Sequence, residues 1–311
     1  MNGVCTKSMN VNRKEGLLSQ IGIWALGLLV ITGLLGCSRE AESQADDGTE
    51  GYAIIGQITG INSEKGVLMV AHEEIPGFMA AMTMEFRVTP GDIENARIDA
   101  KITARLIRDE DGGFRLIKIW PLDKVGQKKV ERSNKDLKKR MDKLSSGRYL
   151  GEEDEAPAFA LYDQSGELFT SERLRGKPFM LNFIFTRCQD AKMCPLSTAN
   201  MANMQALAKE RGLDQLEFVS ITLDPEFDTP GVLRDYATTY GIEGNNFHFL
   251  TGPKEAVYAL IKALGVTALP NGDDVVHSLA TSLIGADGVI HMRSTASAWS
   301  PEAFLKKAAE L

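Results

Sequence analysis

The thiols Cys188 and Cys194 stand directly after the apolar run Phe179–Phe185, and five residues separate them. The other two of the chain's four cysteines, Cys5 and Cys37, lie near the N-terminus. A thiol pair set apart in this way forms a disulfide, binds a soft metal, or does each in turn. Pro195 suits the first turn of a helix, which puts Cys194 where a thiolate is stabilised. A three-coordinate soft site needs one more donor, and imidazole is the usual one. His277, in the polar stretch Asp273-Asp274-Val275-Val276-His277-Ser278 before a strand, can approach the Cys loop from the edge of a sheet. His248 alternates with aromatics in Phe247-His248-Phe249-Leu250 and is expected on a strand surface. His291 follows a hairpin turn and is expected to be exposed. Met193 reads as a packing residue, with a thioether ligand as the alternative. Asp224 reads as a turn residue beside Pro225, with electrostatic tuning as the alternative.

A second soft cluster lies upstream. Met82 and Met84 are two residues apart, so on a strand they share a face while Thr83 points away. His72 ends the preceding apolar stretch, and a hairpin would bring it alongside them. Thioethers with one imidazole favour Cu(I), whereas hard cations require carboxylates. A Met-x-Met pair alone is equally what a strand buries in a core.

These side chains need elements to position them. Tyr52–Ile58, Gly66–His72, Met82–Val88, Lys101–Arg108 and Phe114–Trp120 each read as a strand, punctuated by Asn62-Ser63, Pro90-Gly91 and Asp111-Gly112-Gly113. Five short strands within residues 51–123 predict a small all-β barrel. Residues 124–150 carry ten basic side chains against Glu131, Asp136 and Asp142, with few apolar ones. That segment reads as a charged linker or solvated helix rather than a core element; a basic stripe lying on anionic lipid is the functional alternative. Over residues 151–311, strands at Phe179–Phe185, Glu217–Leu223, Phe247–Leu250, Ala280–Ile284 and Val289–Arg293 alternate with helical patterns. The helices are read at Leu196–Arg211, Gly231–Tyr240, Lys254–Leu264 and Pro301–Leu311. This predicts an α/β domain with a central sheet, and strand, Cys pair and long helix follow in thioredoxin-like order.

The chain has 311 residues and a net charge of −7, with no overall basic footprint, which argues against a nucleic-acid partner. Arg13 and Lys14 precede an apolar run that ends in Leu34-Leu35-Gly36-Cys37. That order is expected of a secretory signal of the lipoprotein type over residues 1–37, with Cys37 acylated; a transmembrane anchor is the alternative. Residues 38–50 read as a flexible tether. The remainder is then exported and lipid-anchored to a bacterial membrane, facing the periplasm or cell exterior, where disulfides are permitted.

Two resemblances add to this. His72, Met82 and Met84, within a five-stranded segment, resemble the CusF-like periplasmic copper-binding domains, barrels of the OB type. That implies a Cu(I) site at these three residues. A Trp that enterobacterial members place three residues before the first Met is here Met79, which reads as a third thioether or as a lid alone. Residues 151–311 resemble the Sco/SenC family through several ordered motifs. They are Ala156-Pro157-Ala158-Phe159, Gly176-Lys177-Pro178, Phe185-Thr186-Arg187-Cys188, Cys194-Pro195, Thr222-Leu223-Asp224-Pro225, Asp228-Thr229-Pro230, Phe249-Leu250-Thr251-Gly252 and Val276-His277-Ser278. That resemblance implies a thioredoxin fold and copper held by Cys188, Cys194 and His277, as Cu(I) or also Cu(II). It implies a role as copper chaperone for the CuA-bearing subunit of a terminal cytochrome c oxidase, or for another copper acceptor. Thiol–disulfide exchange through Cys188 and Cys194, or periplasmic copper tolerance, are the alternatives. The family usually has three residues between its cysteines; this chain has five.

Overall fold

The computed structural model describes residues 51–144, 147–271 and 274–311. The expected signal, the acylated Cys37 and the tether 38–50 lie outside the described residues.

Residues 51–121 form a closed barrel. Its strands are β1 (Tyr52–Asn62), β2 (Val67–His72), β3 (Met82–Arg87), β4 (Lys101–Arg108) and β5 (Phe114–Pro121), joined edge to edge in the order β1-β2-β3-β5-β4. Alternation drives the closure: in β4, Ile102, Ala104 and Leu106 are buried, whereas Thr103, Arg105 and Ile107 are only half-covered. Ile54, Ile58, Leu68, Val70, Phe86 and Leu116 complete the core. Pro90-Gly91, expected to be a turn, instead opens a short helix, α1 (Pro90–Asn95). The Thr89 hydroxyl caps it by accepting from the Asp92 N–H.

The basic segment is a helix, and it is not solvated on all sides. It forms the 18-residue α2 (Lys124–Met141), whose N-terminal Asp123 carboxylate accepts from the N–H groups of Val125 and Gly126. Val130 and Leu137, seven residues apart and so on one helical face, are buried in the core of the following domain. Two well-placed apolar residues outweigh the local charge density because they meet a hydrophobic surface the segment does not itself contain.

The strands of that domain are β6 (Ala160–Asp163), β7 (Leu168–Thr170), β8 (Phe179–Ile184), β9 (Glu217–Thr222), β10 (Phe247–Thr251), β11 (Ala268–Asn271), β12 (Asp274–His277), β13 (Thr281–Ile284) and β14 (Ile290–Ser294). Seven of them make one sheet in the order β14-β13-β8-β9-β10-β6-β7. The central β8, β9 and β10 run parallel, and β13 and β6 flank them antiparallel. Every residue of β8 and β9 is buried, as a strand covered on both faces requires. The helices are α3 (Cys194–Glu210), α4 (Pro230–Thr239), α5 (Lys254–Ala263) and α6 (Pro301–Ala308). The remaining pair, β11 and β12, is a separate two-stranded sheet that includes most of what the sequence shows as a polar stretch before a strand. The short β6 and β7 are not legible in the sequence either; four and three residues give too little periodicity to read.

Two histidines differ from expectation. His248 is buried in β10, with Nε2 3.3 Å from a Glu217 carboxylate oxygen and its ring 4.5 Å from that of Phe169. Because β10 lies inside the sheet, the alternate face of the strand is also covered. His291 is half-buried, and its Nε2 sits 3.0 Å from the Asp287 carboxylate.

The barrel is docked onto the α/β domain. Gly91 of α1 lies against Gly231 of α4 so closely that a Cβ on Gly91 would clash with the Gly231 carbonyl oxygen. The Gly91 N–H donates to Asp235 (2.7 Å), Arg234 donates to Asn95 (2.6 Å) and to Ser165 (2.8 Å), and Asn95 donates to the Gln164 carbonyl (2.8 Å).

Candidate metal centre

The Cys pair is built on the end of β8 and the start of α3. Asn182 in β8 donates to Ser197 of α3 (3.0 Å) and accepts from Ser220 of β9 (2.6 Å), all three being buried. This polar link fixes the first turn of α3 against the sheet, and Cys194 is the first residue of that helix. Between the cysteines, Asp190 closes the loop on itself. Its carboxylate accepts from the Lys192 N–H (2.9 Å) and its carbonyl from the Met193 N–H (2.9 Å). The two residues beyond the usual family spacing are absorbed in this turn, and the sulfurs are not driven apart.

His277 comes from β12, where it pairs with Ala268 of β11. Its Nδ1 lies 3.0 Å from the Ser278 carbonyl, so Nδ1 carries the proton and Nε2 presents a lone pair. That Nε2 is 3.5 Å from Cys194 Sγ, and the ring stands edge-on to Phe185 at 5.4 Å. The donor atoms of Cys188, Cys194 and His277 all lie within 4.8 Å of one another. Cys194 is fully buried and Cys188 half-buried, and both are free thiols.

The electrostatics separate the two thiols. Cys188 is pushed down to about 5, first by the hydrogen bond it accepts from Cys194, with burial opposing. Cys194 is pushed up, because it holds the shared proton and because it is buried. The helix start therefore does not make Cys194 the thiolate, as its position suggests; proton sharing inside a buried pair outweighs the end of the helix.

In the barrel, the register places His72 opposite Met82 and Val70 opposite Met84. Cross-strand partners of this kind have neighbouring side chains. His72 is buried, its Nδ1 sits 2.7 Å from the Glu73 carbonyl, and its Nε2 has no hydrogen-bond partner. A buried imidazole nitrogen left open beside two thioethers fits a soft metal ion. Met82 is exposed, and Met84 packs partly on the barrel core. Met79 is half-buried and bonds back to Ile75, also against that core.

Residues 148–311 match the SCO1/SenC family model, and residues 51–121 match that of the copper binding periplasmic protein CusF. The chain belongs to the SCO1/SenC family. It is 32% identical over 140 residues to the SCO1 protein homolog of Bacillus subtilis, covering 44% of this chain and 71% of that protein. It is 36% identical over 145 residues to a putative copper-binding protein of Stutzerimonas stutzeri, covering 44% and 69%. Among solved structures, a SCO1/SenC family lipoprotein from Bacillus anthracis is 29% identical, with a TM-score of 0.47, over 54% of this chain and 98% of that one.

The SCO1/SenC domain also holds residues around the Cys loop whose roles the sequence does not announce. Asp228 is fully buried and accepts from the Thr186 N–H (3.2 Å), the Thr186 hydroxyl (2.5 Å) and the Thr222 hydroxyl (2.6 Å). Burial pushes its carboxyl up to about 7. Asp224 pairs with Arg187 (2.7 Å), whose guanidinium lies 4.3 Å from the Phe227 ring centre. Asp224 thus ties down the residue before Cys188 and is more than a turn former. The available signal is two carboxylates just after an apolar strand, in Leu223-Asp224 and Phe227-Asp228.

Proposed function

We propose that this chain is an exported, membrane-tethered copper chaperone that serves assembly of the CuA centre of a cytochrome c oxidase. One observation carries the reading: two thiols and one imidazole nitrogen converge within 4.8 Å, a set suited to three-coordinate soft-metal binding. Copper is the cargo. Cys188, Cys194 and His277 hold it in the SCO1/SenC domain, and His72, Met82 and Met84 hold Cu(I) in the barrel. Acylation of Cys37 tethers the chain. The matched family models and the relatives' names support the metal; among the described residues no helix is long and apolar enough to cross a membrane.

The test is Cu(I) titration into the reduced soluble chain. Wild type is expected to bind one ion at each site. Cys188→Ala or His277→Ala removes the ion in the SCO1/SenC domain only, and Met82→Ala/Met84→Ala removes the barrel ion only. Unchanged stoichiometry in all variants would sink the proposal. Binding without transfer to an isolated CuA domain would favour copper tolerance.

A second reading has its own support, since Cys188 is half-buried with a low pKa and Cys194 is a buried partner. As a thiol–disulfide reductase, Cys188 thiolate would attack an acceptor disulfide and form a mixed disulfide. Cys194 would then displace the acceptor dithiol, leaving a Cys188–Cys194 disulfide. Reduction of an acceptor disulfide without copper binding would establish this instead.

A further inference from the structure

The rigid placement of α2 turns its charge into a face. At about 100° per residue, Lys124, Lys128, Arg132, Lys135 and Lys139 fall within an arc of about 80°. That arc lies opposite the buried stripe of Gly126, Val130 and Leu137. All five basic side chains are exposed. Among the described residues, Lys124, Lys128, Arg132 and Lys135 form no ion pair, and Lys139 reaches Asp136 only at 3.9 Å. Glu131 and Asp136 lie on the flanks of the stripe, so its centre is of one sign. The chain as a whole is acidic, at −7, so this face is a local reversal of charge.

We infer that the outer face of α2 is a docking surface for an anionic phospholipid bilayer. Charge complementarity is the first argument: a row of cations about 22 Å long, held on a helix whose other side is anchored in the core, meets a planar array of phosphates without reordering. Proximity is the second, and it alone rests on the tethered reading. The thirteen residues 38–50 allow Gly51 to lie no farther than roughly 50 Å from an acylated Cys37. Contact is then intramolecular, and a weak surface affinity suffices to orient the protein.

The test uses the soluble chain from Ser38, which contains the whole compact unit Gly48–Leu311 but no acyl group. It is mixed with vesicles of phosphatidylcholine, or of phosphatidylcholine and phosphatidylglycerol in equal parts, and sedimented. Sedimentation with the anionic vesicles only, weakened by salt, is expected. Lys128→Glu/Arg132→Glu/Lys135→Glu is expected to lower that binding on the order of 100-fold. If this variant does not fold, Lys124→Glu/Lys139→Glu gives the same reading with a smaller loss. No binding to anionic vesicles, or binding indifferent to charge reversal, overturns the inference; so does binding of polyglutamate in place of vesicles, which assigns the face to an acidic protein. Mass spectrometry of the native chain reads acylation of Cys37 separately, so the two readings fail independently.

Discussion

Cys188 and Cys194 differ in proton affinity because one is a buried donor and the other a half-exposed acceptor. Removing the donor should undo this. In Cys194→Ala the Cys188 pKa is expected to rise from about 5 toward the usual thiol value near about 8.5, read from thiolate absorbance or alkylation rate against pH. A Cys188 pKa that stays near 5 would show that the loop itself, and not proton sharing, sets it. The histidines follow a shared rule. His72 and His277 each direct Nδ1 to the carbonyl of the next residue, which leaves Nε2 of His277 3.5 Å from Cys194 Sγ and Nε2 of His72 buried without a hydrogen-bond partner. Residue types make both donors legible in the sequence. Their tautomers are not legible, because those depend on the backbone conformation around them. Asp228 escapes for a related reason: its partners Thr186 and Thr222 belong to another loop and another strand.

At the scale of elements, α2 shows how charge density misleads. Ten basic residues in 124–150 suggest solvent on all sides, yet Val130 and Leu137 are buried. Leu137→Ala is expected to cost about 2–4 kcal/mol in denaturant unfolding, as for other buried leucines. A loose linker would give almost no change. The pair of β11 and β12 is likewise hidden, because Ala268–Asn271 and Asp274–His277 are four residues each. By contrast, β8 is readable as an apolar run interrupted only by Asn182, β9 as Phe218, Val219 and Ile221 among polar residues, and the barrel strands as short segments bounded by turn residues.

At the scale of the whole molecule, the barrel and the SCO1/SenC domain are held together by α1 and α4. Gly91→Val would place side-chain atoms in the Gly231 backbone and is expected to separate the two. Calorimetry is then expected to show two thermal transitions, against one expected for wild type. The dock also carries a pH dependence. Asp92 is buried between Thr89 and Gly231, and burial first, with Asp235 adding to it, raises its carboxyl to about 6. Its folded pKa lies above the unfolded value of about 3.9, so the folded state binds the proton more tightly. Stability from this group is full below about 4 and falls as pH rises through about 6, by on the order of 2–3 kcal/mol. Asp92→Asn is expected to flatten that window in a plot of thermal midpoint against pH. An unchanged slope would assign the pH dependence to other groups, Asp228 first among them.

The sequence by itself determined the donor types, the two-domain order and the family, since thiols, thioethers and imidazoles keep their chemistry in any fold and ordered motifs survive as strings. Tertiary structure decided which atoms meet. His277 reaches Cys194 across a separation of 83 residues, and Gly91 reaches Asp235 across 144. Contacts at that range depend on packing of whole elements, which no local pattern encodes. The proton between Cys188 and Cys194 follows from the same packing, because burial sets the cost of charge at each sulfur.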